Sequence, residues 1–236
     1  MTMGNGAIYA ETRERVAALV RSLSPDELQR VVPTTPAWGP RDIVGHLAGV
    51  ASDAVTGNIK GLGTEPWTAV QVEARRAMTL EEVLAEWAGY SKIMEPVLDT
   101  APPPVLRMVA DCYMHEQDIR GATGRPGARD AAALDVAFEI VLFGLGTRLD
   151  AAGLPGLRFR AGAREWRAGS SEPGATVTAP DAYELLRCLY SRRSRAQVAA
   201  LAWEGDDPGV RSVPAIAERY LDTFGRFPFA GRDIIE

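Results

Sequence analysis

Histidine, lysine and cysteine are scarce in this chain of 236 residues, with two of each. Two cysteines, Cys112 and Cys188, exclude a disulfide framework. Lysine is limited to Lys60 and Lys92, and with a formal net charge of −5 no basic stripe is left to track a phosphate backbone. The other 24 basic residues are arginine, and with abundant alanine and glycine this composition fits a GC-rich genome such as an actinobacterial one. No run is apolar enough to span a bilayer. The most apolar, Ala131 to Gly146, is too short and is broken by Asp135 and Glu139. No apolar N-terminal leader is present, so the expectation is a cytoplasmic protein without nucleic-acid or membrane partners, as monomer or homodimer. A hydrophobic share of 46% with 24% charged residues excludes a disordered chain. The histidine shortage is the most informative, because any chemistry that needs imidazole falls on His46 and His115.

The first two-thirds of the chain has the periodicity of helices. Val16, Ala17, Val20 and Leu23 mark a first amphipathic helix over Ala10 to Leu23. Ser24-Pro25-Asp26-Glu27 signals a short second one. Gly39-Pro40 opens a long helix carrying Ile43, Val44, Leu47 and Val50, and glycines from Gly61 with Pro66 mark a long connection after it. Thr79-Leu80-Glu81-Glu82 is a capping box that starts a helix reaching about Asp99. Further helices are predicted from about Val105 to Gly121 and from about Asp130 to Ala152. Beyond Gly153-Leu154-Pro155-Gly156 the pattern changes to short strands at 157–161, 165–168 and 175–178. Helices capped by Asp181, starting at Ser194 and spanning 213–224 follow. The fold class expected is α+β, with a helical bundle over 1–153 and a small α/β domain over 154–236.

Asp111 and His115 are four residues apart, so a helix places them one turn apart on one face. His46 lies beside an apolar stripe on another helix. Packing these helices together in a bundle lets two imidazoles and one carboxylate meet, and bundle interiors are where such proteins build metal sites. Three N and O ligands leave a coordination position open, the pattern of a catalytic site. Zn2+ suits the set best, and Ni2+, Mn2+ or Fe2+ are compatible with it. The same residues also fit a blander reading, a surface Asp–His pair and a histidine satisfied by hydrogen bonds in the core. Asp42, one turn before His46, can orient its ring or simply cap the helix start, and Asp118 can pair locally with Arg120. Glu116 points about a quarter-turn away. Trp38 reads chiefly as packing, and Cys112 as a small core residue.

The segment Thr35-Pro36-Ala37-Trp38-Gly39-Pro40-Arg41-Asp42-Ile43-Val44-Gly45-His46-Leu47 resembles the N-terminal signature of the DinB-like, mycothiol-dependent maleylpyruvate isomerase family. Asp111-x-x-x-His115-x-x-Asp118 resembles that family's second signature. The resemblance covers about residues 8 to 150. The tail, with Leu185-Leu186-Arg187, Arg192-Arg193 and Trp203-Glu204-Gly205-Asp206, is similar to the family's small sterol-carrier-like domain. This resemblance implies a DinB-like four-helix bundle and a divalent metal, usually zinc, on His46, Asp111 and His115. It also implies a low-molecular-weight thiol, mycothiol, activated at the metal for addition to or transfer onto a small electrophilic substrate. Four positions depart from the family pattern: Asp111 replaces its usual glutamate, Ala37 a frequent cysteine, and Gly39-Pro40 a Thr-Val pair. The departures at Asp111 and Ala37 motivate an alternative, a thiol-independent metalloenzyme of biosynthesis or detoxification. A non-catalytic metal- or ligand-binding regulatory protein is the other.

Overall fold

Capping side chains set several helix starts in this protein. In a computed structural model, which describes residues 3–205, 213–224 and 228–236, Ser24 and Thr79 accept from the backbone N–H groups of Glu27 and Glu82. Both carboxylates reach back to the cap residue's own N–H. Asp181 and Ser194 cap later helices in the same way. The elements are α1 (Asn5–Arg21), α2 (Pro25–Leu28), α3 (Pro40–Thr56), α4 (Glu65–Ala74), α5 (Leu80–Leu98), α6 (Arg107–Thr123) and α7 (Ala133–Ala151). They continue with β1 (Gly156–Ala161), β2 (Arg164–Ala168), β3 (Pro173–Thr178), α8 (Ala182–Leu189), α9 (Arg195–Ala199), β4 (Ala202–Gly205) and α10 (Val213–Phe224). The class is α+β, a helical N-terminal region followed by a small mixed sheet. No described helix is long and apolar enough to cross a membrane.

The chain divides into two compact units, Met1–Val136 with Glu236, and Ala137–Ile235. The turn at 153–156 lies within the second unit, between α7 and β1. In the first unit, α3 packs on α5, α4 and α6, and α1 packs on α5 and α6. Because neighbours surround α3, every residue from Ile43 to Ala51 is buried. Trp87 of α5 is fully buried and donates its indole N–H to Tyr9 Oη of α1 at 2.8 Å, so the largest core side chain leaves no polar atom stranded. The α6 helix ends on Gly124 in the left-handed conformation (φ 64°), where a side chain would be strained.

In the second unit the sheet order is β2-β1-β3-β4, with β1 and β3 parallel and both outer pairs antiparallel. Leu157, Phe159 and Ala161 of β1, with Ala175 and Val177 of β3, bury one face by strand alternation. Trp203 of β4 is buried beside Tyr220 and Phe224 of α10 and donates Nε1–H to the Val198 carbonyl at 3.0 Å. Two elements differ from the sequence reading. The connection after α3 ends at Thr64, and 65–74 form α4, started by Glu65 and Pro66 in its first turn. The four-residue β4 has too little alternation to be visible in sequence. Asp206, part of the tail motif, lies outside the described residues.

Candidate metal centre

The packing of α3 on α6 brings His46, Asp111 and His115 together. His46 Nε2 lies 3.2 Å from Asp111 Oδ2, and His115 Nε2 lies 3.6 Å from Asp111 Oδ1. The two rings stand edge to face, 5.3 Å between centroids. One ligand atom from each residue falls within 4.8 Å of the other two, the only such triad among the described residues. Both imidazoles are nearly enclosed, with side chains 6% and 5% exposed, whereas the Asp111 side chain is 37% exposed. The site is therefore walled by protein on the histidine sides and open to solvent past the carboxylate. Burying two imidazoles against a carboxylate in a bundle core costs stability that apolar side chains would not. Aspartate, although a methylene shorter than the glutamate of the family pattern, reaches both rings.

The donor set suits a divalent cation. Two imidazole nitrogens and one carboxylate oxygen on rigid helices are common zinc ligands, and three protein ligands leave a position for a further molecule. Trp38 precedes α3 and stands over both rings, 5.1 Å from the His46 centroid and 6.1 Å from that of His115. It is a wall of the site as well as packing.

The surrounding residues divide by role. Asp118 is fully enclosed, and its Oδ2 lies 3.0 Å from His115 Nδ1 without forming a hydrogen bond to that atom. Asp42 caps α3, its carboxylate accepting from the Gly39 N–H at 3.1 Å. The partner of His46 Nδ1 is Gln71 Oε1 of α4, at 2.8 Å. Gln71 Nε2 in turn donates to Asp53 Oδ2 at 2.6 Å. Arg75 fixes α4 below this pair, donating to the Gln71 carbonyl at 3.0 Å while its guanidinium clasps Glu86. No local spacing in the sequence announces Gln71 or Asp53, because their link to His46 exists only once α4 lies on α3.

Glu116 faces away from the site and is fully buried between Arg15 and Arg120, at 2.8 and 2.9 Å. Four arginines that could otherwise bind an anion are engaged: Arg76 with Glu73, Arg193 with Glu184, Arg195 with Glu218 and Asp222, and Arg192 with the Tyr190 carbonyl. Cys112 is enclosed, and burial, reinforced by the charges of Glu116 and Asp111, pushes its thiol well above the usual range. Burial likewise pushes Cys188 up to about 12.

These features define a helical-bundle domain carrying a candidate cation site of two histidines and an aspartate. Residues 9–120 match the family described as the mycothiol maleylpyruvate isomerase N-terminal domain, just under half of the chain and the part that holds the whole triad. Over these residues the chain is similar to that family. No curated protein and no solved structure matches the chain.

Proposed function

We propose that the protein is a metal-dependent enzyme whose His46, Asp111 and His115 hold a divalent cation, Zn2+ before Ni2+, Mn2+ or Fe2+. In this reading it activates a low-molecular-weight thiol such as mycothiol for transfer onto, or isomerisation of, a small electrophile. One observation carries the reading: the chain's two histidines and Asp111 meet at one point of the bundle that the family match covers. A cation bound there would lower the pKa of a coordinated thiol, so that thiolate is present near neutral pH.

The chain's own residues support this use. With two imidazole ligands and a single carboxylate, only part of the charge of a divalent cation held there would be neutralised, and the centre would stay electrophilic. The opening past Asp111 admits a ligand, while Trp38 and the enclosed rings keep water from the histidine side. The chain offers no thiolate of its own, since Cys112 and Cys188 are both buried with raised pKa values. A thiol nucleophile would therefore have to come from outside, in keeping with a thiol co-substrate.

The test is turnover of maleylpyruvate by chelated protein, reloaded or not with Zn2+, with and without mycothiol. The expected result is turnover only when metal and thiol are both present. Metal-dependent turnover that persists without thiol would replace this reading with a thiol-independent metalloenzyme, the alternative that Ala37 motivates.

A further inference from the structure

A histidine can serve as a ligand through only one nitrogen at a time, and the hydrogen bond at the other decides which. At His46 that bond belongs to Gln71, whose side chain is an amide and can present either a carbonyl or an NH2. A carbonyl facing Nδ1 requires a proton there, so Nε2, 3.2 Å from Asp111 Oδ2, is the nitrogen left for a cation. An NH2 would do the reverse and point the ring's proton at Asp111 and His115.

Asp53 removes this ambiguity. Its carboxylate only accepts hydrogen bonds, and both oxygens are used: Oδ2 takes the Gln71 amide at 2.6 Å and Oδ1 takes the Asn58 amide at 2.9 Å. With the NH2 of Gln71 held by Asp53, its carbonyl has one direction left, toward His46 Nδ1 at 2.8 Å. Burial strengthens the constraint, because Gln71 is 3% exposed and a flipped amide would leave two polar groups facing the wrong partners. The relay is built into the backbone. Gly49, one turn beyond His46 on α3, lets α4 approach until a Cβ at 49 would sit 2.5 Å from Gln71 Cβ.

We propose that Gln71, locked by Asp53, is the positioning residue of this centre: it keeps the His46 proton on Nδ1 and so dedicates Nε2 to the cation. The inference rests on the proposed metal site for its purpose, but the placement of the proton is a property of the metal-free protein as well. The two therefore fail separately.

The experiment uses the full chain, 15N-labelled, in wild type and in Gln71→Leu, Asp53→Asn and Asp53→Asn/Gln71→Glu variants. Long-range 1H–15N correlation reads which ring nitrogen of His46 carries a proton, with His115→Gln to assign the two rings. Zn2+ affinity is measured in parallel by chelator competition. Wild type should show a slowly exchanging Nδ1 proton with and without zinc. Gln71→Leu should lose that slow proton and bind Zn2+ about 10- to 100-fold more weakly. Asp53→Asn, which frees the amide to turn over, should lose part of both. The double variant should regain both, because the carboxylate introduced at position 71 is a fixed acceptor, to which the amide introduced at position 53 and His46 Nδ1 can each donate. A wild-type His46 without a proton on Nδ1 overturns the proposal, as does a Gln71→Leu protein that keeps both its slow Nδ1 proton and its affinity. So does a double variant no better than Asp53→Asn.

Discussion

Gly49 on α3 and Gln71 on α4 approach so closely that a Cβ at 49 would lie 2.5 Å from Gln71 Cβ and 3.0 Å from Arg75 Nη1. The atoms in the way sit at the root of α4, so the helix itself must shift to admit a methyl group. Gly49→Ala should therefore destabilise the protein by about 1–3 kcal/mol through overpacking and weaken metal binding by moving Gln71 off His46. Gly45, one turn earlier, has its nearest such neighbour at 3.7 Å, which is ordinary contact. Gly45→Ala should be neutral or stabilising by up to about 1 kcal/mol, the usual gain from removing a helical glycine. Thermal unfolding of the two variants side by side checks the contrast.

Asp111→Asn keeps the shape of the carboxylate and removes its charge. Zn2+ affinity should fall by more than the roughly 10- to 100-fold typical of an outer hydrogen-bond partner, because a charged ligand is lost. The fold should remain, since the Asp111 side chain is more than a third exposed. Chelator competition for affinity and circular dichroism for the fold check both halves.

Glu116 predicts a stability effect without a functional one. It is fully enclosed and pairs with Arg15 and Arg120, whose side chains keep an exposed edge of 21% and 16%. Glu116→Gln should cost on the order of 2–3 kcal/mol, less than breaking a fully buried pair, because both guanidinium groups retain water. Denaturant unfolding measures the loss, and metal content should stay at the wild-type level.

The cysteines give a kinetic prediction. With Cys112 held well above the usual thiol range and Cys188 near 12, native protein at about pH 7.5 should react with neither thiol on a timescale of minutes. Denatured protein should titrate both. Rapid labelling of either thiol in the folded state would remove the reason for looking to an external nucleophile.

Acid should loosen the helix starts. The Glu82 carboxylate lies below the usual range, held first by the Thr79 backbone N–H and then by its hydroxyl, and Glu27 is held likewise by Ser24. A carboxylate with a depressed folded pKa contributes stability above its unfolded value of about 4.3, and that contribution is lost as pH falls through the folded value. Glu82→Gln, which removes the titrating carboxylate, should lower stability near neutral pH and change it little near pH 3. Chemical denaturation at the two pH values reads the difference.

The sequence made the long helices and the triad legible because both depend on short-range regularities. Apolar periodicity and hydroxyl–glutamate caps repeat within one turn, and Asp111 and His115 share a face by spacing alone. Joining them to His46 needed only the step that helices in a bundle pack, and the scarcity of histidine left few choices. The support around the triad was not legible. Gln71 and Asp53 are 18 residues apart, and Gln71 links Asp53 to His46 only after α4 folds back over Gly49, a tertiary event with no local pattern. Asp42 illustrates the reverse, a residue at suggestive spacing whose carboxylate is used by the helix start at Gly39.

The central claim is that the two histidines and Asp111 hold one cation. Metal analysis of protein purified without a metal-affinity tag, with His46→Ala and His115→Ala in parallel, tests it most directly. The account predicts close to one equivalent of divalent metal per wild-type chain and a near-complete loss in both variants, each still folded. Equal metal content in all three proteins, or none in wild type after incubation with Zn2+, would contradict it.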